Sequence, residues 1–259
     1  MIEVHNLTFG YSATEDGQIL KGVDFGAKNG KLTALIGTNG AGKSTLLKTI
    51  MGILKGKGEI SVNGKPVSQY STKDFSSTVS YLSQDNDCKV NLSVFEVVML
   101  GRMGSMSFRV SDEDIAATQE VLERLNLQRF ASRSIMELSG GQRQLVFMAQ
   151  ALVKEPKILI LDEPTSALDL HKQFDLLTLL KNLTQENDFT TLVTLHHLDL
   201  AAMFADEIIV LKEGRVYAQG APKDIFTEAM MEDVYRVKTK IYIDDNGLPH
   251  VIPLEAIIN

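Results

Sequence analysis

Two short runs in this chain carry residue types suited to handling phosphate. The first is Gly37-Thr38-Asn39-Gly40-Ala41-Gly42-Lys43-Ser44-Thr45, which fits G-x-x-x-x-G-K-[ST]. Glycines at these spacings let the backbone curl so that several N–H groups face one anion, and a helix starting at the lysine adds its positive end. Lys43 then supplies a point charge for outer phosphates, and Ser44 a hydroxyl for Mg²⁺. The second run is Asp162-Glu163, two carboxylates after the apolar stretch Ile158-Leu159-Ile160-Leu161. At a strand end the chain turns, so adjacent acids can serve one site differently. Asp162 is placed to hold Mg²⁺ directly or through water, and Glu163 to take a proton from an attacking water. The phosphate loop alone implies only a nucleoside triphosphate. An Asn-Lys-x-Asp element for reading guanine is missing, while small-molecule kinases stay open on this evidence.

These groups need particular elements to hold them. Leu32 to Ile36 reads as a buried strand before the loop, and Leu46, Leu47, Ile50 and Leu54 fall at helical spacing after it. Ser80 to Ser83, Ile158 to Leu161 and Thr191 to Leu195 read as further strands, with a helix over about Leu170 to Gln185. Strand, helix, strand at this spacing predicts a parallel sheet with crossover helices. From about Val94 to Leu152 the pattern is helical. Ser111 and Asp114 form a capping box before a helix that carries Ile115, Leu122 and Leu125, and a second helix carries Leu145, Met148, Ala149 and Leu152 on one face. Glu207 to Lys212 and Arg215 to Gln219 flank Glu213-Gly214 as a hairpin. A second hairpin is expected at Tyr242 to Asp244 and His250 to Pro253. The expected fold is α/β, with a mostly helical insert near residues 88–155 dividing a core of 1–87 and 156–259.

Composition narrows the classes. The chain has 259 residues, 44% hydrophobic and 23% charged, which excludes disorder, collagen and coiled coil. Its net charge of -7 is a poor match for wrapping nucleic acid. The single cysteine, Cys88, excludes an intrachain disulfide and reads as a bystander rather than a redox or metal residue. The start Met1 to His5 lacks the basic-then-apolar pattern of a signal peptide, and no apolar run is long enough to span a bilayer.

Leu138-Ser139-Gly140-Gly141-Gln142 reads as a second glycine turn with a hydroxyl before a helix over Arg143 to Leu152, hence as a second anion site. With this run the chain resembles the ATP-binding subunits of ABC transporters, over nearly its whole length. Tyr11 matches the aromatic that stacks on adenine; the alternative for it is a strand-end aromatic. Residues 37–45 match the Walker A loop, and Gln84 the glutamine that touches Mg²⁺ and senses the membrane partner. Residues 138–142 match the signature, and Asp162 and Glu163 the Walker B aspartate and catalytic glutamate. Ser166-Ala167-Leu168-Asp169 matches the D-loop, and His196 the switch histidine. His197, where relatives often carry Asp, and Gln150, where they usually carry Arg, are departures.

The resemblance implies a P-loop NTPase core with a parallel sheet, an N-terminal antiparallel β portion and a helical subdomain. It implies ATP and Mg²⁺ as ligands, and two copies meeting head to tail around two ATP molecules. In that arrangement Ser139 and Gly141 of one copy complete the cage around the γ-phosphate held by the other. His196 would hold the γ-phosphate and help orient Glu163. Transport would run through separate membrane permeases docked on the helical insert at the cytoplasmic face, with an extracytoplasmic binding protein acting indirectly. Within the family the chain is most similar to ATPases of iron-complex importers (siderophore, haem or cobalamin type), through Val94 to Arg102, Thr194 to Asp206 and Leu211 to Pro222. Met103-Gly104-Ser105 replaces the Pro-His-like element common there. Import of zinc, manganese or molybdate is the alternative within transport. A soluble ATPase acting on nucleic acid or ribosomes is disfavoured by one phosphate loop, no heptads and the acidic charge.

Overall fold

The computed structural model describes residues 1–12, 17–84, 91–103 and 110–258. Cys88, Gly104 and Ser105 lie outside these. The chain runs through β1 (Ile2–Gly10), β2 (Gln18–Ala27), β3 (Lys31–Ile36), α1 (Lys43–Ile50), β4 (Lys57–Val62), β5 (Lys65–Pro66) and α2 (Thr72–Thr78). Then follow β6 (Val79–Leu82), α3 (Val94–Met99), α4 (Asp112–Arg124), α5 (Gly140–Leu152), β7 (Ile158–Leu161) and α6 (Leu170–Glu186). The last part comprises β8 (Thr190–Thr194), α7 (Leu198–Phe204), β9 (Glu207–Lys212), β10 (Arg215–Gly220), α8 (Pro222–Ile225), α9 (Glu228–Met230), β11 (Val237–Ile243) and β12 (Pro249–Ala256). Among the described residues no helix is long and apolar enough to cross a membrane.

Two compact units result, Met1–Gln69 with Leu177–Asn259, and Tyr70–Leu176. The second is wider than the 88–155 segment, because it takes in β6 and β7. In the first unit β3 pairs in parallel with β8 on one side and β9 on the other, and β10 returns antiparallel to β9. Leu32, Ala34, Leu35 and Ile36 are fully buried. A strand covered on both faces reads as a continuous apolar run, which explains the sequence signal. β8 is equally buried but carries Thr190, Thr191 and Thr194; Thr191 Oγ1 lies 2.6 Å from Thr184 Oγ1 on α6. A separate antiparallel sheet has the order β2-β1-β4-β5, with Ile2 facing both Ala27 and Val62. The β11–β12 hairpin is longer than expected, 237–256 instead of 242–253. Along Val237–Ile243 only Thr239 is buried, so no alternating apolar pattern marks the start.

In the second unit β6 and β7 run parallel, Val79 opposite Ile158 and Leu82 opposite Leu161. Its helices α3, α4 and α5 each begin at a serine capping box, Ser93 with Glu96, Ser111 with Asp114 and Ser139 with Gln142. Such reciprocal bonds satisfy two amides that the helix itself cannot. On α4 the inward face differs from the sequence reading. Ile115 is exposed, while Asp114, Thr118, Val121 and Leu122 are buried. The reason is polar: Arg102 Nε donates to Asp114 Oδ1 at 2.6 Å and its Nη1 to the Val153 carbonyl at 3.2 Å. Turning Asp114 inward rotates Ile115 outward. The Arg102 guanidinium, with the Ser111 amide and hydroxyl, holds the Asp114 carboxyl down at about 2. On α5 the buried set is Gln144, Val146, Met148, Ala149, Ala151 and Leu152, so Leu145 is only half-buried.

Candidate active site

The predicted residues fall into two sets, one in each unit. In the first unit β3 ends at Ile36 and the chain enters the phosphate loop at Gly37, with φ 148°. A Cβ there would stand 2.2 Å from the Leu211 carbonyl oxygen, so only glycine fits. The loop tightens through Ala41 N–H to the Thr38 carbonyl at 3.2 Å, and the Leu46 N–H to Gly42 carbonyl bond at 2.8 Å opens α1. No side chain caps α1 and no acid stands in its first turn, so its N-terminal amides and positive end suit an anion. Lys43 is buried, and its Nζ donates to the carbonyls of Gly37 at 2.8 Å and Thr38 at 3.0 Å. The ammonium is thereby fixed over the loop, with Ser44 and Thr45 half-buried beside it in sequence. A Cβ placed on Gly40 meets nothing within 4 Å, so the loop is open there. A buried cation, uncapped amides and an open loop fit a polyphosphate.

Tyr11 is 70% exposed and stands edge-on to Phe9, with ring centroids 5.0 Å apart. An exposed ring braced by a second aromatic can take a flat base on its face. His196 follows β8 and is exposed; His197 occupies the N-cap of α7 without bonding it.

In the second unit β7 delivers Asp162, which is 1% exposed and whose amide bonds the Leu82 carbonyl at 2.9 Å. Glu163 has φ 52°, a left-handed backbone adopted by a non-glycine residue directly before Pro164. Its carbonyl accepts from Ser166 Oγ at 3.1 Å, and its carboxylate accepts from Gln84 Nε2 at 2.9 Å. Two residues far apart in sequence, each selected for chemistry, thus meet at one carboxylate. Strained backbone at such a point is characteristic of a functional site.

The segment 138–142 is different from the expected turn. Ser139 is the N-cap and Gly140 to Gln142 are the first turn of α5, so the helix begins three residues before Arg143. Ser139 Oγ accepts from the Gln142 amide at 3.3 Å and Gln142 Oε1 accepts from the Ser139 amide at 2.9 Å. The Gln142 side chain is therefore engaged in the cap. Ser139 and Gly140 remain exposed, which leaves an open helix N-terminus for an anion. Gly141 abuts the D-loop of its own chain, where a Cβ would come within 2.9 Å of the Ala167 carbonyl oxygen. Asp169 caps α6, accepting from the Lys172 amide at 3.0 Å and pairing with Lys172 Nζ at 2.8 Å. The Lys172 side chain holds the Asp169 carboxyl below the usual range.

Gln173 is a further residue of the site that no sequence motif marks. It is buried, and its Nε2 donates to the carbonyls of Thr165 and Leu168, both at 3.1 Å, tying down the turn after Glu163. A glutamine four residues into a helix carries no local signal for this.

The family model for ABC transporter matches residues 20–166. The chain belongs to the ABC transporter family. The iron(3+)-hydroxamate import ATP-binding protein FhuC of Bacillus subtilis (strain 168) is 37% identical over 246 residues, covering 94% of this chain and 90% of that protein. Among solved structures, a metal-chelate type ABC transporter in an inward-facing conformation superposes with TM-score 0.83 at 29% identity, covering 98% of this chain and 97% of that one. The dimeric structure of the ABC transporter cassette MJ0796 superposes with TM-score 0.78 at 30% identity, covering 85% and 98%. As a member of this family the chain is an ATP-binding subunit with the ABC ATPase fold.

Proposed function

We propose that this chain binds MgATP, hydrolyses it to ADP and inorganic phosphate, and so powers an ABC importer for an iron complex of siderophore, haem or cobalamin type. The observation that carries the catalytic part is the Gln84–Glu163 hydrogen bond of 2.9 Å at a left-handed Glu163, directly after buried Asp162. Iron is favoured by the likeness to FhuC and to the metal-chelate transporter.

In this reading Gly37 to Thr45 cradle the β- and γ-phosphates through backbone amides, Lys43 offsets their charge and Tyr11 stacks on adenine. Ser44, Asp162 and Gln84 hold Mg²⁺, which supplies charge neutralisation across the phosphates when bound. Glu163 accepts a proton from water as the water oxygen bonds the γ-phosphorus and the bond to the ADP oxygen breaks. His196 steadies the γ-phosphate. Ser139, Gly140, Gly141 and Gln142 of a second copy face the same phosphate in a head-to-tail dimer, with Asp169 in the adjoining D-loop. The dimeric MJ0796 cassette supports two copies as the working unit. Permease subunits dock on the helical part near 88–155, at the cytoplasmic face of the membrane, and receive cargo from an extracytoplasmic binding protein. The core formed by 1–87 and 156–259 carries the nucleotide.

Phosphate release from the purified chain tests the ATPase reading: Mg²⁺-dependent release, abolished by chelation, is expected, and none with MgATP would overturn it. Uptake of labelled iron chelates in a deletion strain tests the cargo. Unchanged uptake of every chelate would remove iron and leave the ATPase reading standing.

A further inference from the structure

The turn after Glu163 is fastened to a helix by one side chain. From Glu163 to Leu168 the backbone makes two successive tight bonds. The Glu163 carbonyl accepts from the Ser166 amide at 3.3 Å, and the Thr165 carbonyl from the Leu168 amide at 3.1 Å. Pro164 has no amide to add. Thr165 and Leu168 are buried, so their carbonyls depend on partners within the protein. Gln173, itself buried on α6, serves both. Its Nε2 carries two hydrogens and donates to the Thr165 and Leu168 carbonyls, each at 3.1 Å. Its own amide bonds the Asp169 carbonyl at 2.9 Å, which fixes the base of the side chain in the helix.

Glu163 needs such an anchor. Its φ of 52° is left-handed, whereas a residue before proline prefers extended backbone. A conformation this sparsely populated persists only when its surroundings over-determine it. Upstream, the Asp162 amide is tied to the Leu82 carbonyl at 2.9 Å, and at the carboxylate Gln84 Nε2 donates at 2.9 Å. Downstream, the two Gln173 bonds fasten the turn to α6. We propose that Gln173 is a positioning residue for Glu163, its paired hydrogen bonds holding the left-handed backbone that aims the Glu163 carboxylate. The proposal rests on the reading that Glu163 is the base for ATP hydrolysis. Gln173 touches neither the nucleotide nor the attacking water in that reading; it acts only through the turn. Without its two donors the turn slackens and Glu163 relaxes toward extended backbone, which draws the carboxylate off line.

Gln173→Met keeps the length of the side chain and removes both donors. Gln173→Glu keeps its shape and sets an oxygen against the two carbonyls. Steady-state ATPase kinetics read both, with kcat counted per MgADP-binding site from calorimetric titration, so that misfolded protein does not enter. Each should lower kcat about ten- to a hundred-fold, the scale of a reacting group misplaced by about 1 Å, with KM for MgATP and Kd for MgADP within about two-fold of wild type. Thr184→Val is the stability control. It removes the buried Thr184 Oγ1 bonds to the Leu180 carbonyl and to Thr191 Oγ1, both 2.6 Å, further along the same helix. It should lower the unfolding temperature and leave kcat per site unchanged. The decisive reading is the double variant of Glu163→Gln with Gln173→Met. If Gln173 acts through Glu163, the double variant turns over at the residual rate of Glu163→Gln alone. A Gln173→Met kcat near wild type, or losses that multiply in the double variant, would overturn the positioning role. Loss of all MgADP binding in both Gln173 variants would overturn it too, since Gln173 would then hold the fold as a whole. If Glu163→Gln itself turns over like wild type, the reading of Glu163 as the base falls instead.

Discussion

Glu163 carries two burdens that substitution can separate: a carboxylate that should drive chemistry, and a backbone that L-residues avoid. Its φ of 52° costs about 1–2 kcal/mol relative to a right-handed conformation. Glu163→Gln keeps that backbone and can still accept the Gln84 amide hydrogen, so stability should stay within about 0.5 kcal/mol of wild type. Turnover should fall about 10²- to 10⁴-fold, the usual worth of a positioned base, while MgATP binding persists. Glu163→Gly should lose turnover equally but gain in fold stability. Relief of about 1–2 kcal/mol is partly offset by the lost Gln84 bond, worth about 1 kcal/mol for a half-exposed pair. The net is about +0.5 kcal/mol, or roughly 1–2 °C in unfolding temperature for a chain this size. Phosphate release and differential scanning calorimetry on the three proteins read both effects. If Glu163→Gln retains more than about a tenth of wild-type turnover, Glu163 is not the base. A Glu163→Gly variant that melts several degrees lower would show that the left-handed backbone stores no strain.

Lys43→Ala should weaken MgATP binding strongly, because it removes the buried ammonium that spans Gly37 and Thr38; unchanged affinity by calorimetric titration would exclude the cradle. Asp114 gives a pH-dependent prediction. Its folded value, about 2, lies below the ordinary 3.8, so its stabilising contribution is full above the ordinary value and is lost as pH falls through about 2. The stability gap between wild type and Asp114→Asn, read by circular dichroism melts, should therefore narrow between about pH 4 and 2. A gap that is constant over that range would refute the linkage.

Much of the site was legible because its local rules are strong. A glycine loop between a buried strand and a helix admits few readings, and the apolar run ending in Asp162 and Glu163 is covered on both faces, as such a run demands. The Ser111 capping box was visible as a short-range pattern. The same pattern at Ser139 and Gln142 is masked by the glycines at 140 and 141, which suggest a flexible turn, whereas the cap makes them the first helical turn. What stayed hidden depends on contacts distant in sequence. Ile115 faces out because Arg102 draws Asp114 in, and Gln173 is defined by two carbonyls of a loop. No periodicity encodes those pairings.

If ATP joins two copies of this chain as proposed, each copy lends its 138–142 helix start to the nucleotide of the other. The direct test is the solution mass of Glu163→Gln by light scattering after size exclusion, with MgATP and with MgADP. Twice 28.6 kDa is expected with MgATP and 28.6 kDa with MgADP, with loss of the ATP-dependent dimer when Ser139→Arg is added. A Glu163→Gln protein that binds MgATP yet stays at 28.6 kDa, or that dimerises regardless of Ser139→Arg, would contradict it.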